Sequence, residues 1–462
     1  MLWTEFGTQA ASTPSCVQRY RDHLLAHLLC PGRHTVTSLI TTFGNQFADW
    51  TAHYDLYAQD RVNPHVLFQG VRSHVEALNG AQEPLTVALD DTILRKTGKL
   101  IPGAAYRKDP LGPAFNVNLV WAQRMIQFSA ALPNPDGQVR MIPIDFVDAS
   151  TPRKPRKNEP EEIWAAYRES MKQRNLNQLA IDTLEQLQQE RQGRPLRVLV
   201  DGSYTNARVL RNLPPNSVLI GRIRKDAHLN ALPEVQEQKG RRRIYGENLP
   251  TPEQIRQAPC PWQQVTVFAA GKNRTFDVKT IDRVRWRKAG NIDLRLVVIR
   301  PVPYRGPGGK RQYRQPAYLI CTDPDLPIEE LLQSYVWRWD IEVNHRDEKT
   351  LLGVGQAQVR NPLSAWSIPA SAVAAYAMLH VAAVHAYGWT GKPNVIPLPK
   401  WRDPQKKHRA STLDLINELR RELWTEAIHS EHLNDFVNAK SPDSKSIKYL
   451  PSIASCLFAA TA

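Results

Sequence analysis

The chain has 462 residues, and its 60 Lys and Arg outweigh 45 Asp and Glu, giving a net charge of +15 and an isoelectric point near 9.6. At roughly 150 residues per domain this length allows about two to four units and a sizeable core, and the positive excess points to an extended polyanion, nucleic acid first, as partner. No run of 18 apolar residues occurs and MLWTEFGTQA carries neither a charged nor an apolar signal region, so the sequence predicts no membrane span, no signal peptide and a cytoplasmic protein, associated with the nucleoid when DNA-bound.

Five cysteines (Cys16, Cys30, Cys260, Cys321 and Cys456) are odd in number, far apart and without a CxxC. That argues against a disulfide framework and against a cysteine zinc cluster. His23, His27, Cys30 and His34 lie close in sequence but match no known zinc spacing, so ordinary helix packing is expected of them.

Residues 15–80 repeat apolar positions near helical spacing (Val17, Leu24, Leu28, Leu29, then Val36, Leu39, Ile40), which predicts a separate N-terminal helical unit. Its segment HTVTSLITTFGNQFADW fits either part of a helix-turn-helix or a plain bundle. From Pro84 the character turns extended: LTVALDD, FNVNLVWAQ and VRMIPIDFVD read as three strands of a meander. The basic loop TPRKPRKNEP, a solvated turn or a phosphate contact, precedes a long helix predicted from Glu161 to about Gln192. Then come the apolar strand LRVLVDGSY with its aspartate, the helical TNARVLRNL and the strand SVLIGRIR.

Three strands, helix, strand, helix, strand is the order of the RNase H-like α/β fold, which would set Asp90 or Asp91 and Asp201 at the ends of adjacent central strands. Topology alone does not define function. Residues 227–325 read as a β-rich insertion (QQVTVFAA, RTFDVKTIDRVRW, DLRLVVIRPV, PAYLICT) with a basic loop, YRGPGGKRQYR. A helix starts near Pro327, and SAWSIPASAVAAYAMLHVAAVHAY forms an apolar core helix whose His380 and His385 are packed. A Pro-rich linker (KPNVIPLPKW), the basic QKKHR and the amphipathic STLDLINELRRELWTEAI follow, the last fitting a partner subunit or DNA.

The stretch YVWRWDIEVNHRDEK, residues 335–349, is predicted as one helix. At about 100 degrees per residue Tyr335, Arg338, Glu342 and Lys349 share an arc of about 60 degrees, while Asp340 and Asp347 point away. Glu342 is then flanked by two cations. An i,i+4 salt bridge with Arg338, worth about 0.3–0.5 kcal/mol, is one explanation. A meeting with the two strand-end acids is the other: each pair of carboxylates about 4 Å apart costs about 4 kcal/mol at an effective dielectric of 20. A pair of divalent cations, Mg²⁺ or Mn²⁺ given all-oxygen ligands, would relieve that repulsion and serve phosphodiester chemistry.

These four residues match the pattern Y-(2)-R-(3)-E-(6)-K, and over about residues 85–390 the chain resembles the DDE transposases of bacterial insertion sequences that carry it. The resemblance implies catalytic, metal-holding roles for Asp90, from the D-x-[ST] motif in ALDDT, Asp201, from D-G-x-[FY] in VLVDGSY, and Glu342. Asp91 is the alternative first acid, which strand pleating sends to the opposite face. Tyr335, Arg338 and Lys349 would contact phosphates at the transposon end, and Trp286 on RVRWRKAG, or Trp262, would stack a flipped base, with sheet packing the simpler role for either.

The implied protein is an RNase H-like core interrupted by a β-rich insertion, with an N-terminal helical domain and a helical C-terminal region. Its expected division is a DNA-binding domain at 1–82, core at 83–226, insertion at 227–325, core with the catalytic helix at 326–390, and a basic tail and helix at 391–462. It would bind double-stranded DNA, both transposon ends and target, as a synaptic homodimer, using two Mg²⁺ (or Mn²⁺) per site for cut-and-paste transposition through hairpin ends. The rivals are a domesticated DNA-binding protein that no longer cuts and an RNase H-like nuclease without strand transfer.

Overall fold

Helix caps set the first elements. After a π-helical turn at Trp3–Gly7, Thr13 accepts the Cys16 N–H at 3.2 Å and starts α1 (Pro14–Leu29), Thr35 caps α2 (Val36–Thr42), α3 spans Thr51–Ala58, and Asn63 caps α4 (Pro64–Asn79). The computed structural model describes residues 3–80, 83–109, 112, 115–152, 154–234, 243–306, 309–390 and 409–430. The Pro-rich linker, most of QKKHR and Cys456 lie outside them.

The strands are β1 (Leu85–Arg95), β2 (Ala105–Lys108), β3 (Leu119–Pro133), β4 (Val139–Asp148), β5 (Leu196–Val200), β6 (Ser217–Arg222), β7 (Gln263–Ala269), β8 (Lys272–Val284), β9 (Leu294–Ile299), β10 (Pro303–Arg305), β11 (Arg311–Tyr313) and β12 (Ala317–Cys321). Between and after them run α5 (Glu161–Gln173), α6 (Leu176–Glu190), α7 (Ala207–Arg211), α8 (Pro252–Gln257), α9 (Ile328–Trp337), α10 (Asp340–Leu351), α11 (Pro362–Tyr387) and α12 (Thr412–Ser430).

One ten-stranded mixed sheet runs β2-β3-β1-β5-β6-β12-β9-β8-β7, with β4 beside β3. The meander β1, β3, β4 is antiparallel, and β1, β5 and β6 are parallel. The architecture is thus mixed α/β, consistent with an RNase H-like core. The strands of residues 227–325 do not stand apart from it: β12 pairs antiparallel with β6 and carries β9, β8 and β7 outward. The backbone groups of β6 that would form an exposed edge are paired.

Three other expectations change. The helix predicted from Glu161 to Gln192 is two, because Asn175 accepts the Asn177 N–H at 3.0 Å and caps α6. The helical N-terminal segment shares its core with the C-terminal half: Tyr20, Leu24, Leu67 and Phe68 cluster with Ile368, Val373 and Tyr376 of α11, and Tyr20 Oη lies 2.9 Å from Ser371 Oγ. The 335–349 stretch divides into α9 and α10 at Arg338 and Trp339. Both residues keep helical dihedrals, but the hydrogen bonds shorten to i,i+3, with Arg338 N–H donating to Tyr335 O at 3.3 Å and Glu342 N–H to Trp339 O at 3.1 Å. The turn is tightened rather than broken by Pro or Gly.

Among the described residues α11 is the one helix long and apolar enough to cross a membrane, yet most of its apolar stretch is buried inside the protein. His380 is buried, with Arg140 Nη1 at 3.3 Å and Thr412 Oγ1 at 3.2 Å, whereas His385 is exposed and meets His74 at 3.1 Å.

Candidate active site

Strand pleating sorts the acids. On β1 the odd residues Leu85, Val87 and Leu89 enter one core cluster, while Ala88 faces the other, packed with Leu199 of β5 and with Leu331, Leu332, Tyr335 and Ile341 of α9 and α10. The parallel register pairs Leu85 with Leu196 and Ala88 with Leu199. Two residues past the last pair lie Asp90, still within β1, and Asp201, just beyond β5, and their carboxyls interact.

Asp90 is mostly enclosed. Burial pushes its carboxyl up to about 6, the like charges of Asp91 and Asp201 add to the shift, and His345 and Arg338 oppose it. Asp91 turns the other way, receiving Arg124 Nε at 2.7 Å and the Tyr204 hydroxyl at 3.4 Å. Asp201 ends its strand in an Asx turn: Oδ1 accepts the Ser203 N–H at 2.8 Å, the Ser203 hydroxyl at 2.6 Å and the Tyr204 N–H at 3.4 Å.

Glu342 lies in the first turn of α10, and its Oε1 accepts Arg338 Nη2 at 3.3 Å. The Arg338 guanidinium interacts with Asp90, Glu342 and Asp201 together, and sits 5.7 Å from the Tyr335 ring centroid. Burial raises the Tyr335 hydroxyl and lowers the Lys349 ammonium, and Lys349 also feels Glu348, Arg95 and Asp90. Despite the tightened turn, Tyr335, Arg338 and Lys349 thus share the neighbourhood of the acids. Asp340 and Asp347 are engaged elsewhere, with Arg409 at 3.0 Å and the Thr412 hydroxyl at 2.7 Å.

Two further groups were not anticipated from the sequence. His345 acts directly on Asp90, and Glu348, 1 % exposed, accepts Gln127 Nε2 at 2.9 Å while Gln127 is the β3 partner of Asp90. Their helical offsets from Glu342, three and six residues, were the available signal. Trp286 is 6 % exposed and packed in the main core, with Lys288 Nζ 5.0 Å from its ring centre. Trp262 is flanked by Lys279 Nζ at 4.3 Å and Arg300 at 5.6 Å from its ring centre. The open aromatic beside the site is Trp339, 61 % exposed.

The carboxylate oxygens of Asp90, Asp201 and Glu342 suit a hard divalent cation in chemistry, but not in arrangement. Among the described residues no group of three His, Cys, Asp or Glu is close enough to hold a metal ion. A guanidinium, not a gap, lies among these acids.

Next to Asp201, at Gly202 and Thr205, opens a cleft of about 1240 Å³. Arg222, Arg224, Lys225, Arg256, Arg287 and Lys288 line it against Asp226 and Glu253, and these two acids are already paired with Arg224 and Arg256. The cleft is therefore a net positive groove beside an acid pair, the layout of a nucleic-acid-processing enzyme.

Residues 17–291, more than half of the chain, match the DDE superfamily endonucleases, and the protein belongs to that family. The matched region contains Asp90, Asp91 and Asp201 and ends before the 335–349 stretch. Enzymes of this family act on DNA and generally use divalent metal ions. A comparison with curated proteins finds no match.

Proposed function

We propose that the protein is the transposase of an insertion sequence, binding terminal inverted repeats, cutting at the element ends and joining the freed 3′-hydroxyls to target DNA. The observation that supports this reading is that the carboxyl of Asp90 interacts with Asp201 and with Arg338, whose guanidinium also bonds Glu342 at 3.3 Å. The basic cleft beside Asp201 supports a DNA track. Hydrolysis and strand transfer are both in-line attacks by an oxygen on phosphorus, so one site serves both. Asp90, Asp201 and Glu342 are the catalytic acids and, drawn closer together, the holders of Mg²⁺ or Mn²⁺, two ions in the full reading. Tyr335, Arg338 and Lys349 face the end phosphates, hairpin ends and a synaptic dimer belong to the same proposal, and Trp339, whose ring is open, replaces Trp286 as the stacking candidate.

The test is a labelled duplex carrying the inverted repeat that flanks the gene, incubated with protein and Mg²⁺, then pre-cut ends offered a target plasmid. Cutting and joining that both vanish in Asp201→Asn are expected; wild-type rates in that variant would refute the assignment. A second reading, a DNA-binding protein that does not cut, is favoured by the ungathered acids. Tight binding of the repeat without nicking at any Mg²⁺ or Mn²⁺ concentration would establish it.

A further inference from the structure

We propose that the arm formed by β2 and the start of β3 is a second contact for double-stranded DNA, with Phe115 at its tip as an apolar wedge between base steps and Lys108 as a phosphate contact. The inference rests on the reading of the chain as an enzyme that works on DNA with its site at Asp90 and Asp201.

The register shows where the arm points. β1 runs parallel to β5 and continues past it: Ala88 pairs with Leu199, Asp201 follows the last residue of β5, and β1 goes on to Arg95. Arg95 pairs with Ala122, and from there outward β3 pairs with β2 as far as Leu119 opposite Lys108. Leu119 lies eight residues along β3 from Gln127, the partner of Asp90. At about 3.3 Å per residue the arm thus reaches about 26 Å beyond the site, a distance that about eight base pairs of one duplex span.

The base of the arm is held firmly. Lys96 Nζ donates to the carbonyls of Gly355 and Ala357, both at 2.8 Å, the Thr97 N–H to Gln358 Oε1 at 3.0 Å, and Trp121 Nε1 to the Gly98 carbonyl at 3.0 Å. The tip is open: Phe115 is 93 % exposed, and Tyr106, Val117 and Leu119 are exposed with it. Apolar side chains exposed singly need no explanation, but a group of them on one stiff projection defines a binding surface. Charge says for what. Residues 95–119 hold Arg95, Lys96, Lys99, Arg107 and Lys108 against the one acid Asp109, which already receives Arg95 at 2.8 Å. Lys99 Nζ lies over the Tyr106 and Trp121 rings, 4.7 and 4.6 Å from their centroids, so cations and aromatics interleave. Protein interfaces deplete Lys at their centres, and a second copy would bring the same positive excess, +15 over the chain. Duplex DNA matches both halves of the surface: its phosphates meet the cations, and its base steps accept an apolar side chain. With its base fixed in advance, the arm loses little freedom on binding.

Fluorescence anisotropy of a labelled duplex carrying the inverted repeat that flanks the gene, titrated with the full chain at several salt concentrations, tests this. Phe115→Ser should weaken binding about tenfold at every salt concentration while keeping the wild-type salt slope, and Phe115→Trp should bind like the wild type. Lys108→Gln should reduce the slope by about one. Both side chains are exposed, so the melting temperatures should match the wild type. If Phe115→Ser binds like the wild type, or Lys108→Gln keeps its slope, the proposal is overturned. It is overturned equally if the DNA-free wild type sediments as a dimer that Phe115→Ser dissociates, since the arm then binds a second copy. Cutting is read separately: a wild type that cuts while the arm variants bind normally sinks the arm and leaves the catalytic reading standing, and a wild type that binds through the arm without cutting does the reverse.

Discussion

Two regions bury polar groups densely, and they resolve the burial in opposite ways. Between α1 and α3, His23 Nε2 meets His53 Nδ1 at 2.9 Å and its Nδ1 meets the Tyr57 hydroxyl at 3.1 Å, while the His27 and His34 rings stack with planes 5° apart. Burial holds His23 down to about 3 and His27 well below its ordinary range, so both are neutral at physiological pH. Asp90, which the sequence placed at a strand end, lies in the middle of β1, and with Asp201, just past β5, it shares one arginine, Arg338, which also bonds Glu342 at 3.3 Å. Histidines that relieve burial by losing a proton are packing; carboxylates from separate elements that share one arginine make a candidate site.

Substitution should separate the regions sharply. Asp90→Asn should slow DNA cutting by more than about 100-fold, beyond the cost of losing a supporting group around a metal, without lowering the melting temperature. His23→Ala should do the reverse: stability falls by about 1–3 kcal/mol as Tyr57 and His53 lose a partner, and cutting per folded molecule is retained. Calorimetry beside a nicking assay reads both, and a His23 variant that folds normally but cannot cut would erase the contrast.

The neighbouring acids of β1 sharpen it further. The Asp90 carboxyl is raised in the fold from 3.8 to about 6, so stability falls as pH rises through that window, by at most about 3 kcal/mol. In metal-free buffer at pH 7.5, Asp90→Asn should therefore melt higher than wild type. Asp91→Asn, which gives up a charge-assisted bond from Arg124 at 2.7 Å, should melt lower, by about 1.5–3 kcal/mol. Shifts of the same sign would contradict the facing assigned to these residues.

Smallest is the acid response of the histidine layer. His27 is depressed in the fold, so the unfolded chain takes up its proton first and stability falls as pH drops below 6.5. By pH 5 this one residue costs about 2 kcal/mol. His27→Phe should flatten that part of the melting profile between pH 7 and 5; an unchanged slope would mean that His27 is not buried as described.

The proposed acids stand out in the sequence because two apolar runs, LTVAL and LRVLV, each end at aspartate, while Asp90 and Asp91 stayed alternatives until the strand showed them facing opposite ways. Spacing singled out Tyr335, Arg338, Glu342 and Lys349. The turn at Arg338 and Trp339 was not readable, since neither residue breaks a helix and the change lies in hydrogen-bond pattern alone. The pairing of β6 with β12 joins residues about a hundred positions apart, and the shared core of α1 and α11 joins residues such as Tyr20 and Ser371, 351 apart; local pattern does not encode such partners. Trp286 shows the same limit: local sequence offered it for stacking but did not reveal that it is covered. The cap at Asn175 that splits the long helix was legible, because Asn followed by a helical run is an N-cap signal.

The central claim rests most narrowly on which acid of α10 joins the strand-end pair. Glu342 is partly exposed and held by Arg338, whereas Glu348 is sealed against Gln127 and His345. Cutting of the element-end duplex by Glu342→Gln and Glu348→Gln, each beside its melting curve, decides it. The account predicts that Glu342→Gln folds like wild type and cuts more than about 100-fold slower, while Glu348→Gln melts lower and still cuts; normal cutting by Glu342→Gln would contradict it.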